Sequence, residues 1–260
     1  MVKDEYQIVH VLEPGTAVGT VVFGKTWKAM LDEFNVLLLD MNDTFMFDAD
    51  RFGSEYDYSI VYHQLGGTLQ SEVINTLIQA AYDYLDERYP NPNYRELFPT
   101  VQDALIAVSK GNKLADRELT LLTQTFAYHE RGRVSPAYAE ALHKLAREFK
   151  LGLVADIWAS KEVWIEELER SGVLKLFDAT VFSSDFGIVK PSPNLFLTAL
   201  EIVQASLHET LVIGDSVRRD LGGAVAAGLP CLLVGGATHP SAYGTVSSLL
   251  ELVKHHVVRF

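Results

Sequence analysis

The sequence predicts an α/β protein: a parallel sheet with crossover helices, interrupted after its first strand by a helical insert and preceded by an N-terminal extension. Three observations carry this. From about residue 150 onward, short apolar runs alternate with single helical stretches, which is the pattern of strands buried on both faces and joined by crossovers. One run of the same kind, "NVLLLD" at 35–40, stands far upstream of the others. Between them, residues 48–149 read as helical and offer no convincing strand. The expected organisation is therefore an extension over 1–34, a core formed by 35–47 and 150–260, and an inserted α-helical unit over 48–149.

In the extension, "YQIVHVLEPGTAVGTVVFG" holds two strand-like runs around a Pro14-Gly15 turn, and "KTWKAMLDEF" is short and helix-like. In the insert, "SEVINTLIQAAYDYLDERY" sets Val73, Leu77, Ala80, Ala81, Tyr84 and Leu85 at helical spacing before "NPN" stops it. "FPTVQDALIAVSKGN" offers Thr100 as N-cap with Asp103 three residues on, and Gly111 near its end. "ADRELTLLTQTFAYHE" follows, then "SPAYAEALHKLAREFK" with Ser135 as N-cap and Pro136 at the first helical position. In the core, the strands "LGLVAD", "ATVFSS", "TLVIGDS" and "PCLLVGG" are separated by "SKEVWIEELERSG", "PNLFLTALEIV" and "RDLGGAVAAG".

Bulk properties narrow the function classes. Of the 260 residues, 48% are hydrophobic and 22% charged, which suits a globular protein with a substantial core. The formal charge of −12 gives no general attraction to nucleic acid or to an anionic membrane. An anion such as phosphate must be bound locally, against that field. The single cysteine, Cys231, lies in an apolar stretch, so it reads as a core residue in a reducing compartment. The N-terminus lacks the apolar core of a signal peptide, and no apolar run approaches the roughly 18 residues of a membrane span. A cytoplasmic location is expected; the oligomeric state is not legible.

Ligands of an open parallel sheet sit outside the carboxyl ends of its strands. The polar residues at those ends are Asp40, Asp156, the Ser183-Ser184-Asp185 group and Asp215, with Lys190 in "IVKPSP". A lone Asp ending a strand is commonly a turn or cap residue, and this reading is favoured for Asp156 and Asp185. Asp40 and Asp215 together point further. Gly214 allows a ligand close to the backbone, Ser216 can cap the next helix, and Asp220 lies one helical turn on. Two facing carboxylates repel, so a hard cation such as Mg²⁺ is expected to neutralise them. Lys190 then balances an incoming anion, and such a site could stabilise a phosphoryl group while a carboxylate attacks it.

The motifs carry a family resemblance. "VLLLDMNDTF" resembles the first motif of the haloacid dehalogenase-like (HAD) hydrolases, "VKPSPNLFLTAL" their lysine motif, and "VIGDSVRRDLGGAVAAGLPCLLV" their metal-binding motif. The resemblance covers 36–47 and 150–236, and implies a Rossmannoid core with a C1-type helical cap over 48–149. It further implies Asp40 as the nucleophile forming an aspartyl-phosphate and as a Mg²⁺ ligand, Asn42 as a ligand through its backbone carbonyl, and Asp215 as the remaining protein ligand. Lys190 would clamp the phosphate and the nucleophile, with Asn42 also beside the phosphate. Asp220 would support this shell or hold Lys190.

Three positions depart from the pattern. Asn42 stands where the family has an acid/base Asp, and an amide cannot exchange a proton near neutral pH. Asp43 stands where Gly is usual, with its side chain expected to point elsewhere. Ala155 stands where the family has a phosphate-binding Ser or Thr. The implied function is a Mg²⁺-dependent phosphatase acting on a small phosphorylated metabolite. The alternatives are a degenerate family member that binds a phosphorylated ligand or a protein partner, and a haloacid dehalogenase. The last needs no metal, so Asp215 argues against it. A receiver domain also uses an Asp and Lys at strand ends, but has no insert of this length. Tyr56, Tyr58, Tyr62, His63, Arg131 and Arg133 in the insert could contact substrate, although helical aromatics are more often core.

Overall fold

The computed structural model describes residues 9–10, 21–22, 27–109 and 114–256. Val9–His10 (β1) pairs antiparallel with Val21–Val22 (β2), and Trp27–Leu31 forms α1. The Pro14-Gly15 turn expected between the two strands lies outside the described residues. Val36–Leu39 (β3) opens the main sheet. The insert follows as α2 (Ser59–Gln64), α3 (Ser71–Arg88), α4 (Val101–Val108) and α5 (Asp116–Glu130), and α6 (Pro136–Leu145) leads back to β4 (Lys150–Ala155). Then come α7 (Glu162–Arg170), β5 (Phe177–Phe182), α8 (Ser183–Phe186), α9 (Pro193–Val203) and β6 (Thr210–Gly214). A π-helical turn at Val217–Leu221 runs into α10 (Gly222–Ala227), followed by β7 (Cys231–Leu233), β8 (Gly244–Thr245) and α11 (Leu249–His256).

Six strands form one parallel sheet in the order β5-β4-β3-β6-β7-β8, so the first strand of the sheet lies at its centre. This is the expected α/β core, and it explains the unbroken apolar text of β3. Leu37 and Leu39 face one core layer, with Leu151, Leu153, Leu211 and Ile213. Val36 and Leu38 face the other, with Val181, Val212 and the helices α9 and α10. Cys231 is buried in this second layer, as its apolar context implied. No helix among the described residues is long and apolar enough to cross a membrane.

Among the described residues, 48–149 holds helices and no strand of the sheet. The chain leaves and re-enters the core through two adjacent segments. Phe47 and Arg133 exchange both backbone hydrogen bonds, at 2.9 and 2.7 Å, and Asp50 and Arg51 donate to the carbonyls of Glu130 and His129. Gly132 is required here, because a Cβ on it would lie 2.7 Å from the Phe47 carbonyl oxygen. The other end of the insert rests on the strand ends: Phe98 N donates to Gly187 O at 2.7 Å, and Val189 N to Arg95 O at 2.9 Å. Helix α6 packs against α11.

Two local expectations need adjustment. In α3 the buried face is Ile74, Leu77, Ile78, Ala81 and Leu85, whereas Val73 is 42% exposed. The apolar text fits two registers one residue apart, and packing against α4 selects the second. Thr100 and Asp103 form the expected capping box of α4, but Ser135, though at the N-cap of α6, makes no side-chain cap bond. Pro136 at the first helical position supplies the fixed φ instead. Gly111 lies outside the described residues; α4 ends at Val108.

Candidate active site

Because β3 is central, Asp40 emerges at the middle of the sheet's carboxyl edge. Its N–H still continues the ladder, donating to Ile213 O at 2.9 Å, so its position is fixed by the strand. Asp215 follows β6, the immediate neighbour, and Asp220 returns from the turn behind it. One ligating oxygen from each of Asp40, Asp215 and Asp220 lies within 4.8 Å of the others. Lys190, 1% exposed, reaches into the group from below, with Nζ donating to Asp40 Oδ1 at 2.6 Å and to Asp220 Oδ1 at 2.7 Å.

The turn after Asp40 is built to hold the carboxylate. Met41 O accepts from the N–H groups of Thr44, Phe45 and Met46, which curls the chain, and Thr44 Oγ donates to Asp40 Oδ2 at 3.1 Å. Asp43 takes φ +57°, a left-handed conformation, which is the physical reason a glycine suits this position. Its side chain is exposed, and its charge reaches Asp215. On the other side, Ser216 caps the following turn by accepting from Arg219 N at 3.2 Å, and its own N–H donates to Asp220 Oδ2 at 2.9 Å. Gly214 leaves room for that carboxylate and not for a ligand: a Cβ there would lie 2.3 Å from Asp220 Cγ.

Burial and mutual repulsion govern the electrostatics of this group. Burial, followed by the negative charge of Asp220, raises the Asp40 carboxyl well above the usual carboxylate range, against the pull of Lys190. Asp215 is raised for the same two reasons. Burial alone would lower the Lys190 ammonium, but Asp220, Asp40 and Asp156 outweigh it and hold it above its ordinary value. Asp215 Oδ1 and Asn42 Oδ1 are buried without a hydrogen-bond partner among the described residues. Hard oxygen donors, an orphaned carboxylate oxygen and carboxyls that resist ionisation together fit a hard divalent cation.

Several neighbours were not legible in the sequence. Asp156 does more than turn the chain: its carboxylate accepts the Lys190 backbone N–H at 3.1 Å and the Tyr89 hydroxyl at 2.5 Å. Tyr89 comes from the end of α3, so the insert touches the strand ends directly. Its ring lies 5.0 Å from the Arg218 guanidinium and 5.9 Å from that of Arg219. Arg219 Nη2 stands 3.5 Å from Asp215 Oδ2. Ala155 is buried and offers no hydroxyl, while Ser183 turns inward to the backbone of Ile157 and Asp185 pairs with Lys161 at 2.7 Å. Of the polar residues suggested in the insert, Tyr58 bonds Gln79 at 2.7 Å and Tyr62 is buried. The sequence signal for Arg219 was its place inside "SVRRD"; nothing singled out Tyr89.

Comparison with known proteins bears on these residues. The family model described as haloacid dehalogenase-like hydrolase matches residues 89–234, which include Lys190, Asp215 and Asp220. The glyceraldehyde 3-phosphate phosphatase of Methanopyrus kandleri is 36% identical over 81 residues, 31% of this chain and 34% of that protein. The phosphoserine phosphatase of Thermus thermophilus is 29% identical over 116 residues, 44% of this chain and 47% of that one. The chain thus spans less than half the length of these curated relatives. By structure, a 2-haloacid dehalogenase from Pseudomonas syringae superposes with a TM-score of 0.59 at 20% identity, over 85% of this chain and 97% of that one.

Proposed function

The chain belongs to the haloacid dehalogenase-like hydrolase family, and from that premise we propose that it is a Mg²⁺-dependent phosphatase acting on a small phosphorylated metabolite. The observation that carries the reading is the Lys190 bridge. An ammonium held at 2.6 and 2.7 Å between Asp40 and Asp220, with Asp215 beside them, is an arrangement for a nucleophilic carboxylate facing a second anion. The sequence relatives named as phosphatases of glyceraldehyde 3-phosphate and phosphoserine support the same chemistry. The dehalogenase likeness at 20% identity speaks only for the fold.

Mg²⁺ held by Asp40, Asp215 and the Asn42 carbonyl would supply the positive charge that these carboxyls lack and would polarise the phosphoryl group. The rest falls to the chain. Thr44 and Lys190 hold the two Asp40 oxygens so that the carboxylate is aimed outward from the strand end. Asp40 attacks phosphorus, the bond to the leaving oxygen breaks, and an aspartyl-phosphate results; water then releases inorganic phosphate and restores the carboxylate. Lys190 offsets charge throughout, and Asp220 fixes Lys190. Asn42 can donate or accept a hydrogen bond but cannot transfer a proton.

The helices of the insert would act as the cap that selects substrate and excludes water. Since α6 packs with α11, we place the cap between the crossings at Phe47 and Arg133, with 136–149 given to the core. The free thiol of Cys231 suits a reducing cytoplasm, and the formal charge of −12 disfavours nucleic acid and anionic membrane as partners. Asn42 and Ala155 favour one rival, a binding protein with little turnover. Steady-state hydrolysis of an aryl phosphate with and without Mg²⁺ separates them. Metal-dependent release of phosphate that Asp40→Asn abolishes supports the enzyme, and no release from either protein removes it.

A further inference from the structure

We propose that Arg219 is the residue that binds the substrate's phosphoryl oxygens, in the role left open by the missing hydroxyl at Ala155. The inference rests on the phosphatase reading above and names the group that must take the anion.

The argument begins with a census of cations at the strand ends. Lys190 is buried and its Nζ is already committed to two carboxylates. Arg51, at the crossing, donates to the carbonyls of Asp48, Tyr128 and Arg131. Arg218 is exposed on the outer side of the turn and donates to Tyr89 O at 3.4 Å. Arg219 differs from all three. Its side chain is 30% exposed, it lies among Asp40, Asp215, Asp220 and Asp156, and among the described residues its ion pair is a long contact of 3.5 Å to Asp215. The Tyr89 hydroxyl, bonded to Asp156, also takes a hydrogen bond from this guanidinium, which holds its plane from the insert side and leaves its remaining N–H groups to a ligand.

Charge accounting points the same way. Asp40, Asp156, Asp215 and Asp220, with Asp43 and Asp50 beside them, face Lys190 and Arg219. A divalent cation offsets much of this negative charge, and any phosphate dianion then needs donors that are not already spent. Ala155 supplies none, and Ser183 is used by the Ile157 backbone. A guanidinium offers two parallel N–H groups matched to a phosphate edge. When the metal takes Asp215, the loose pair to Arg219 is the contact that gives way, and the guanidinium is released toward the anion beside it.

Binding can be read without turnover. The affinity of the full chain for inorganic phosphate, at saturating Mg²⁺, is measured by equilibrium dialysis for wild type, Arg219→Gln and Arg219→Lys. Arg219→Gln should raise the Kd about ten- to a hundredfold, the scale of a hydrogen bond to an ion. Arg219→Lys should recover only part, since an ammonium lacks the fork. Mg²⁺ titrated alone should bind Arg219→Gln at least as tightly as wild type, because a competing cation has gone; weaker binding would mean that Arg219 supports Asp215 and would overturn the assignment. Unchanged phosphate affinity in both variants, with a wild type that hydrolyses aryl phosphate, overturns this inference alone. A wild type that neither binds phosphate nor hydrolyses the ester removes the phosphatase reading together with it.

Discussion

Asn42 is the residue at which the site's geometry and its chemistry diverge. The turn around it is intact, with Met41 O gathering three N–H groups and Thr44 holding Asp40, so the nucleophile's position does not depend on an acid at 42. What depends on it is proton transfer to the leaving oxygen and from the attacking water. An aryl leaving group needs little protonation, so the first step should survive there while breakdown of the aspartyl-phosphate lags. Asn42→Asp should then raise steady-state turnover by about 10²–10⁴-fold, the usual scale of a general acid or base. Rapid-quench kinetics with an aryl phosphate check this: wild type should show a burst that the variant lacks. A fast wild type slowed by the same change would show that Asn42 serves other chemistry. The neighbouring Asp43, at φ +57°, carries strain that glycine would relieve. Asp43→Gly should stabilise the fold by ~0.5–1 kcal/mol in urea unfolding, and a loss of stability would mean that the carboxylate earns its place by a contact.

At the scale of elements, β3, β4 and β6 were readable because an apolar run ends in a polar residue, a signal local enough to survive without coordinates, whereas the two-residue β8 carries no such run. In the insert, α3 to α6 were readable from helical periodicity and cap residues, α2 was not, and facing stayed open: Val73 and Ile74 are both apolar, and only packing distinguishes them. Contacts between insert and core were beyond reach. Tyr89 and Asp156 stand 67 residues apart, and neither announces the other. Glu130 is a further case. It closes α5, and its carboxylate accepts from Trp158 N at 2.5 Å and Ala159 N at 2.9 Å, in the loop after β4. Burial pushes this carboxyl up to about 8, and the charge of Asp50 adds to it, while the two N–H bonds pull it down. Its ordinary value is 4.5, so between those limits the folded chain binds a proton that the unfolded chain does not. Stability contributed by this site is therefore present at low pH and lost as pH rises through about 8. Against Glu130→Gln, wild type should lose on the order of 2–4 kcal/mol between pH 5 and pH 9 in urea unfolding. Parallel pH profiles for the two proteins would show that the N–H bonds keep Glu130 ionised throughout.

The whole molecule sets one opposition that no single residue resolves. A formal charge of −12 surrounds a site that, on the reading proposed here, must admit a phosphate dianion. Lys190 is too buried to attract anything from a distance, and the carboxylates at the strand ends outnumber the cations among them. Attraction is thus local, through the metal and Arg219, whereas the long-range field repels. These two act over different distances, and salt distinguishes them: the Debye length is about 30 Å at 0.01 M and about 8 Å at 0.15 M. Added salt should screen the outer repulsion well before it weakens contacts inside the site. The kcat/KM for a phosphate monoester at saturating Mg²⁺ should therefore rise, by roughly two- to fivefold, as KCl is raised from 0.01 to 0.15 M. The value for a neutral ester analogue should stay flat over the same range. If kcat/KM for the dianion falls instead, the rim's own field dominates at encounter, and the cap rather than the global charge determines which anions reach Asp40.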